Sequence, residues 1–197
     1  YDPMRREDAK AYLPYTSATS SRALLESEPL ERQKAFYSSL YGSAEAAYAF
    51  TERVYEASPL NRVLREFTPG ESFRATGTGS GGNDHYTAFS YQANEANDVL
   101  DISCNENGAL MVNGYLAAGK LFKRRVTSPD GREATEFKDS DGRLFLQSSG
   151  TGENLQETHY VYDSRMRLRW VIQPEGCCRI KNLAANASSA MPYTLSQ

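Results

Sequence analysis

The chain contains 197 residues, of which 40% are hydrophobic and 24% are charged, and its formal net charge at pH 7 is −3. This length can bury the core of one domain or of two small ones, and no apolar run is long enough to span a membrane. The near-neutral charge is atypical of nucleic-acid-binding proteins, which carry a basic surplus or stripe.

The N-terminal part of the chain predicts a short edge strand, a Ser/Thr-rich loop and one helix. Ser27 can cap this helix, Pro29 suits its first turn, and Gly42 ends it. We therefore expect an α-helix at about residues 28–41 whose aromatic-rich side docks on a sheet. A continuation through Glu45–Phe50 is a weaker alternative.

From residue 51 onward the hydrophobic pattern has a period close to two, which predicts short β-strands. The composition agrees, because 13 tyrosines beside one tryptophan favour strands with one solvent-facing side. Pro129-Asp130-Gly131 and Asp141-Gly142 suit hairpin turns, since glycine accepts a positive φ. The predicted strands are Thr51–Tyr55, Arg62–Phe67, Tyr86–Tyr91, Asp98–Cys104, Leu110–Val112, Leu121–Thr127, Arg132–Phe137, Arg143–Gln147, Glu157–Tyr162 and Leu168–Ile172.

The expected organisation is a single, mainly β segment in which one helix precedes an antiparallel meander. No second domain boundary stands out. The chain begins without Met or a charged-then-apolar leader, so we expect it to be a segment of a longer protein from which any signal peptide is absent. Its expected parts are 1–26 (a first repeat-like unit and loop), 27–50 (a helical insert), 51–175 (hairpin repeats) and 176–197 (a polar tail).

A short motif recurs among the predicted strands. An acidic residue, a turn residue, an arginine and a leucine occur at Asp139, Gly142, Arg143 and Leu144, and the pattern returns 24 residues later, at Asp163. The proposed motif positions are Phe137, Asp139, Gly142, Arg143 and Leu144; Tyr162, Asp163, Arg167 and Leu168; and, in two further copies, Tyr1, Asp2 and Arg6, and Tyr55, Glu56 and Arg62.

The motif has a direct physical interpretation. The acid accepts hydrogen bonds from amides of the turn, a residue with positive φ closes the hairpin, and the arginine opens the next strand facing the acid. The following Leu or Val packs inward. One hairpin buries little surface, so we expect the copies to stack into a repeat architecture.

These residues resemble the YD-repeat, or RHS, family of bacterial secreted and cell-surface proteins, whose unit reads approximately Tyr-Asp-x-x-Gly-Arg-Leu. Glu56–Val63 is the most specific matching stretch, and the resemblance covers most of residues 1–175. Arg5 and Met166 replace the turn glycine, so we expect these two turns to differ from the consensus turn.

The resemblance implies that the hairpins form an open, shell-like or spiral β-sheet. In the family, many such hairpins wind into a hollow shell that can enclose a C-terminal toxin segment. The self-cleaving RHS core is not visible in this sequence, so the chain would form part of the shell and would be neither the enclosed toxin nor the protease.

Enzymatic alternatives find little support in the sequence. His85 and His159 are the only near-neutral bases, and alternation places His159 on the solvent-facing side of a strand. The glycine-rich segment Gly77–Asp84 superficially offers a phosphate cradle, but a strand follows it rather than the helix that such cradles use. No Gly-x-Ser-x-Gly elbow is present. A hydrolase that depends on either histidine is therefore the least favoured alternative.

Cysteines and carboxylates supply further candidate groups. The three cysteines do not form a disulfide framework, and three unpaired thiols are favoured over one bridge from Cys104. Nearby Arg179 could make Cys177 and Cys178 reactive, but a structural or exposed role for these two residues is favoured. Acidic groups that can bind calcium or act as acid and base are Asp139 with Asp141, Glu52 with Glu56, and Glu153. Because an Asp before a turn has a sufficient structural role, we predict no metal and no cofactor.

Trp170 is the candidate ligand platform. Strand alternation favours a core position shared with Leu168, and the alternative is an exposed ring that stacks on sugars. The leading hypothesis is a non-enzymatic structural segment of a secreted or cell-surface bacterial protein. Its partners would be the remainder of the parent repeat chain and an enclosed toxin segment, with no nucleic acid and no membrane insertion. The second hypothesis is a carbohydrate- or ligand-binding surface module that uses exposed Tyr and Trp.

Overall fold

A computed structural model describes residues 9–17, 27–71, 85–186 and 193–195, and it confirms a mainly β, antiparallel fold with few helices. The helices are α1 (Pro29–Tyr41), α2 (Ser43–Ala46) and α3 (Pro174–Asn186). The strands are β1 (Lys10–Tyr12), β2 (Phe50–Tyr55), β3 (Val63–Phe67), β4 (Tyr86–Ala93), β5 (Leu100–Cys104), β6 (Leu110–Tyr115), β7 (Phe122–Thr127), β8 (Glu133–Lys138), β9 (Leu144–Ser149), β10 (Gln156–Tyr162), β11 (Leu168–Ile172) and β12 (Tyr193–Leu195).

All ten strands predicted from residue 51 onward are present, with small shifts at their ends. The predicted meander is interrupted, however. Nine strands form one sheet in the order β1-β2-β3-β4-β7-β8-β9-β10-β11, whereas β5 and β6 form a separate sheet with β12. The hairpin of β5 and β6 leaves the sheet because its apolar residues, including Leu100 and Val112, pack into a core cluster with Val161 and Ile172.

The chain divides into two compact units, the first comprising residues 1–89 and 128–131 and the second residues 90–127 and 132–197. In the first unit, the aromatic docking predicted for α1 is found only in part: the Tyr37 hydroxyl donates to the carbonyl of Pro14 at 2.6 Å and the Phe36 ring lies near that of Tyr15, but the most buried residue of the helix is polar. The buried residue of α1 is Gln33, whose Nε2 donates to the carbonyl oxygens of Leu13 at 3.0 Å and Ala49 at 2.7 Å. Tyr41 is largely exposed. A polar side chain therefore ties this helix to the strands, because it donates to carbonyl groups directly after β1 and directly before β2; the carbonyl of Ala49 also accepts the N–H of Leu13 at 3.1 Å.

The second unit contains two apolar clusters. One joins β5, β6, β10 and β11 to α3 through residues such as Val161 and Ile180, and the other joins β7, β8 and β9 through residues such as Phe137 and Leu146. The helix α3 corrects the expectation of a polar tail at 176–197. Cys177 and Ile180, one turn apart, are buried on its inner face.

Asn94 fixes the chain where β4 ends and β7 begins. Its buried side-chain Oδ1 accepts hydrogen bonds from the backbone N–H groups of Lys120 and Leu121, both at 2.8 Å, and its Nδ2 donates to the carbonyl of Ala117 at 2.9 Å. A buried side-chain amide that takes the place of backbone partners in this way holds an irregular loop in position without leaving its own polar atoms unpaired. The residues that the structure describes include no helix of the length and apolarity that crossing a bilayer requires.

Replacing Asn94 by Ala is expected to lower the free energy of unfolding by roughly 1–3 kcal/mol, because it leaves the buried N–H of Leu121 without an acceptor. Asn113→Ala is the control, since the Asn113 side chain makes an exposed hydrogen bond to Ser103. Urea denaturation of both variants checks the prediction. Equal midpoints for the two variants would contradict the role assigned to Asn94.

Candidate functional site

The turn between β10 and β11 is organised by the carboxylate of Asp163. Its Oδ1 accepts hydrogen bonds from the backbone N–H groups of Arg165 at 2.9 Å and Arg167 at 3.0 Å. Its Oδ2 lies 2.8 Å from the guanidinium of Arg167 and 3.0 Å from that of Arg169. These contacts, foremost the backbone N–H of Arg167, hold the pKa of Asp163 well below its usual range.

The turn between β8 and β9 repeats this arrangement around Asp139. Its Oδ1 accepts from the backbone N–H groups of Asp141 at 2.9 Å and Arg143 at 2.8 Å, and its Oδ2 lies 2.9 Å from Arg143 Nη1. Desolvation raises the pKa of Asp139, but the hydrogen bonds from Arg143 outweigh it, so the net shift is downward. We call this combination of acid, turn and arginine the acid–arginine hairpin.

The backbone of the two turns also matches. The N–H of each acid donates to the carbonyl of its arginine, at 3.0 Å for Asp139 and 2.9 Å for Asp163. The carbonyl of each acid accepts from the residue three positions later, Gly142 at 3.1 Å or Met166 at 2.8 Å. This is a tight turn followed by one residue with positive φ, a frequent solution for three-residue hairpin loops.

A longer version joins β2 to β3. The backbone N–H of Glu56 donates to the carbonyl of Arg62 at 3.0 Å, and Glu56 Oε2 lies 2.7 Å from Arg62 Nη2. Hydrogen bonding to the Arg62 guanidinium, followed by the Ser58 hydroxyl, lowers the pKa of Glu56 to about 2. The loop is two residues longer than in the other hairpins, and the side chain of Glu is longer than that of Asp.

Two backbone irregularities recur in all three hairpins. The residue before the arginine has a positive φ: 82° at Gly142, 59° at Met166 and 56° at Asn61. The second strand carries one extra residue two positions after the arginine, namely Phe145, Arg169 or Leu64. The three hairpins therefore share both irregularities, although their loops differ in sequence and the Glu56 loop also differs in length.

The expectation that the Met166 turn would differ from the glycine turn is wrong. Met166 adopts the same left-handed conformation as Gly142, and its N–H makes the equivalent hydrogen bond. A non-glycine residue in this region is disfavoured by about 1–2 kcal/mol. The hydrogen bonds that Asp163 makes to both sides of the turn offset this cost.

The aromatic and leucine positions behave less uniformly than the acids. Tyr162 donates its hydroxyl proton to the carbonyl of Leu144 at 2.9 Å and so ties its hairpin to the preceding one. Phe137 is buried but lies two residues before its acid, in the place of Val161. Leu168 is 50% exposed, so its expected inward packing is wrong, because the extra residue in β11 changes the alternation there.

Of the remaining predicted motif residues, Tyr55 is described by the structure and those of the N-terminal copy are not. Tyr55 lies at the end of β2, directly before Glu56, at the position that Tyr162 has before Asp163. Tyr1, Asp2 and Arg6 lie outside the described residues, as do Arg5 and the glycine-rich segment 77–84.

A cavity of about 900 Å³ lies beside the Asp163 turn. Trp170 is half-buried against the core cluster of β5, β6, β10, β11 and α3, and its Nε1–H donates to the carbonyl of Gly108 at 3.1 Å. The cavity is lined by Cys104, Asn105, Glu106, Asn107, Gly108, Asp163, Ser164, Arg165, Arg167, Arg169 and Trp170. Sequence reasoning missed all of these except Cys104, Asp163, Arg167 and Trp170, since the two turns that form the walls are distant in the chain.

His159 is buried rather than solvent-facing, so that prediction is also wrong. The residue is 2% exposed because β10 lies between β9 and β11, and α3 contacts it. Its Nε2 makes no hydrogen bond to any described residue, and burial lowers the pKa of His159 to about 4. His85, the other histidine, is half-buried directly before β4.

The remaining candidate groups have ordinary surroundings. All three cysteines are free, and burial raises the pKa of the Cys177 thiol. Asp139 and Asp141 both pair with Arg143, the latter at 2.6 Å. Within the described parts of the chain, no three His, Cys, Asp or Glu side chains are grouped so that they could hold a metal ion.

Comparison with known proteins adds one finding. Residues 1–88 match a family described as a domain of unknown function (DUF6443). No curated protein and no solved structure matches the chain. The matched stretch includes the Glu56 hairpin and ends within β4, so the Asp139 and Asp163 hairpins lie beyond it.

Met166→Gly is expected to raise the free energy of unfolding by up to about 1 kcal/mol, because glycine adopts a positive φ without strain. The reciprocal change Gly142→Met is expected to lower it by about 1–2 kcal/mol. A Cβ at Gly142 would meet no atom within 4 Å, so the cost is conformational rather than steric. Thermal unfolding checks both variants, and a shift of the same sign in both would contradict a shared turn conformation.

His159 is expected to make the protein less stable as the pH falls from about 6.5 to about 4. In that window the unfolded chain binds a proton on His159 and the folded chain does not, so the loss is on the order of 3 kcal/mol. His159→Leu should flatten the pH profile of stability between pH 5 and 6.5. Denaturation at several pH values checks this, and an unchanged slope in the His159 variant would refute it.

Proposed function

We propose that the chain is a non-enzymatic structural segment of an exported protein of the RHS, or YD-repeat, type. Its hairpins would form part of a β-sheet shell or surface scaffold that encloses a C-terminal toxin segment. The observation that carries the proposal is the acid–arginine hairpin itself, which occurs three times among the described residues with the same backbone bond from acid to arginine, a positive φ before the arginine and the same extra residue in the second strand.

Repeated hairpins of this kind suit a wall. The β8–β9 and β10–β11 hairpins lie side by side, and β9 pairs with β10 in antiparallel register, with Leu146 opposite His159. In such an arrangement both acid–arginine turns lie at the same end of the sheet. Each added hairpin extends the sheet by two strands, and the bond from the Tyr162 hydroxyl to Leu144 joins one hairpin to the next.

The position of β11 favours a continuing wall. It is the last strand of the nine-stranded sheet, and like β9 it is the second strand of an acid–arginine hairpin. The edge of β9 that faces away from its own hairpin pairs with β10. An unpaired edge strand is a liability in isolated proteins. In the proposal the next hairpin of the parent chain occupies this edge, in a register that places Trp170 where Leu146 lies in the preceding hairpin.

The resemblance and the geometry support different parts of the proposal. The recurring hairpin supports a structural repeat. Export and the enclosed toxin follow from the resemblance of Tyr162-Asp163 through Leu168 and of Glu56–Val63 to the RHS family. The test must therefore measure enclosure as well as folding.

Limited proteolysis of the full-length protein that carries this chain measures enclosure. The variant Asp139→Ala/Asp163→Ala removes both carboxylates that bind turn amides. It is expected to expose the segment downstream of the repeats, with cleavage there at least about tenfold faster than in the wild type. The result checks whether the hairpins build the barrier.

Asp141→Ala is the matched control, because the Asp141 carboxylate pairs with Arg143 but none of its described hydrogen bonds goes to a backbone amide. It should leave the downstream segment protected. Equally fast cleavage of that segment in the wild type and both variants would overturn the enclosing role.

A further inference from the structure

The Asp163 turn carries two arginines that the acid–arginine hairpin does not need. At the position of Arg165 the sibling turn between β8 and β9 has Asp141. At the position of Arg169, the extra residue of the second strand, the other hairpins have Phe145 and Leu64. Because the same turn forms without these arginines, the fold does not explain their presence.

These additional arginines leave the turn with a surplus of positive charge. The Oδ2 atom of Asp163 is shared by Arg167 and Arg169, so one carboxylate faces two guanidinium groups. The guanidinium of Arg165 is exposed and makes no ion pair with any described residue. The sibling turn has the opposite balance, with two carboxylates around a single arginine.

The surplus charge faces a cavity that is partly open to solvent. All three arginines line the 900 Å³ cavity, whose opposite wall is the turn between β5 and β6. Cavities of this size bind small molecules in other proteins. On that wall the side chains of Glu106 and Asn107 are exposed and make no hydrogen bond to described residues, while Trp170 fixes the wall through its bond to Gly108.

We infer that this cavity binds a small saccharide that bears a phosphate or sulfate group. Arg165 and Arg169 supply planar, charged N–H donors that match a tetrahedral oxyanion. Glu106 and Asn107 offer oxygen and amide groups that suit sugar hydroxyls, and Trp170 contributes apolar surface. This binding role is separate from the structural role proposed above, and either can fail without the other.

The single tryptophan of the chain makes the test direct, because its indole N–H gives one side-chain NMR signal that reports on this cavity. Titration with glucose 6-phosphate, glucose 6-sulfate, glucose and inorganic phosphate separates the contributions of charge and sugar. We expect a saturable shift of the Trp170 signal with glucose 6-phosphate or glucose 6-sulfate, at least about tenfold tighter than with glucose or with inorganic phosphate. The anionic sugar that binds more tightly identifies which oxyanion the cavity prefers.

Two variants link that shift to the arginines. R165D/R169F copies the residues of the sibling turn, which folds with them, and is expected to weaken binding more than tenfold. Arg165→Gln removes only the exposed guanidinium and is expected to weaken it about tenfold without changing the unfolding midpoint. Arg179→Gln is the control, since Arg179 lies on α3 and pairs with Glu175.

Three results would overturn the inference. The first is no perturbation of the Trp170 signal by either anionic sugar. The second is glucose or inorganic phosphate binding as tightly as the anionic sugars, which would show that the sugar or the anion alone accounts for the affinity. The third is wild-type affinity in both R165D/R169F and Arg165→Gln.

Discussion

One carboxylate that accepts two backbone N–H groups on one oxygen and an arginine on the other determines the shape of the Asp139 and Asp163 hairpins. An exposed ion pair contributes little stability alone, typically about 1 kcal/mol or less. The contacts to the turn amides matter more, because they specify a backbone path. In the Asp163 turn this carboxylate supports a methionine in a conformation that normally favours glycine. The acid therefore determines the turn, and the residue with positive φ adapts to it.

A conserved turn geometry leaves other positions free to differ. Asp139 and Asp163 organise nearly identical backbones, yet one turn has a second carboxylate where the other has Arg165. The extra residue of the second strand is Phe145 in one hairpin, where it packs near the core, and Arg169 in the other, where it lines a cavity. A repeat scaffold can acquire a binding site in this way without altering its turns.

Local patterns carried enough information to predict the strands, the acid–arginine pairs and the first helix. Each depends on residues that are close in sequence, such as Asp163 and Arg167. The pairing of β4 with β7 depends on two contacts between residues distant in sequence: the bond from Leu121 to Asn94, and the packing of the β5–β6 hairpin into another core cluster. No local pattern encodes either contact. Alternation placed His159 outside because it cannot detect the helix α3 that covers the strand.

The cavity was not predictable for a related reason. Its walls come from two turns that are remote in sequence, and the bond between Trp170 and Gly108 that joins them spans 62 residues. Trp170 could be recognised as a residue of interest, but its dual position, against the core and beside the cavity, follows only from that contact. Arg165 and Arg169 acquire meaning only by comparison with the sibling hairpin.

The claim that the three hairpins share one geometry is tested most directly by replacing the loop Glu56–Arg62 with the five residues Asp-Ser-Asp-Gly-Arg of the β8–β9 turn. Cross-strand NOEs between β2 and β3 are the measurement. We predict a folded protein that keeps Tyr55 opposite Val63 and Val54 opposite Arg65, although the loop is two residues shorter. A shifted register, or loss of the β2–β3 pairing, would contradict it.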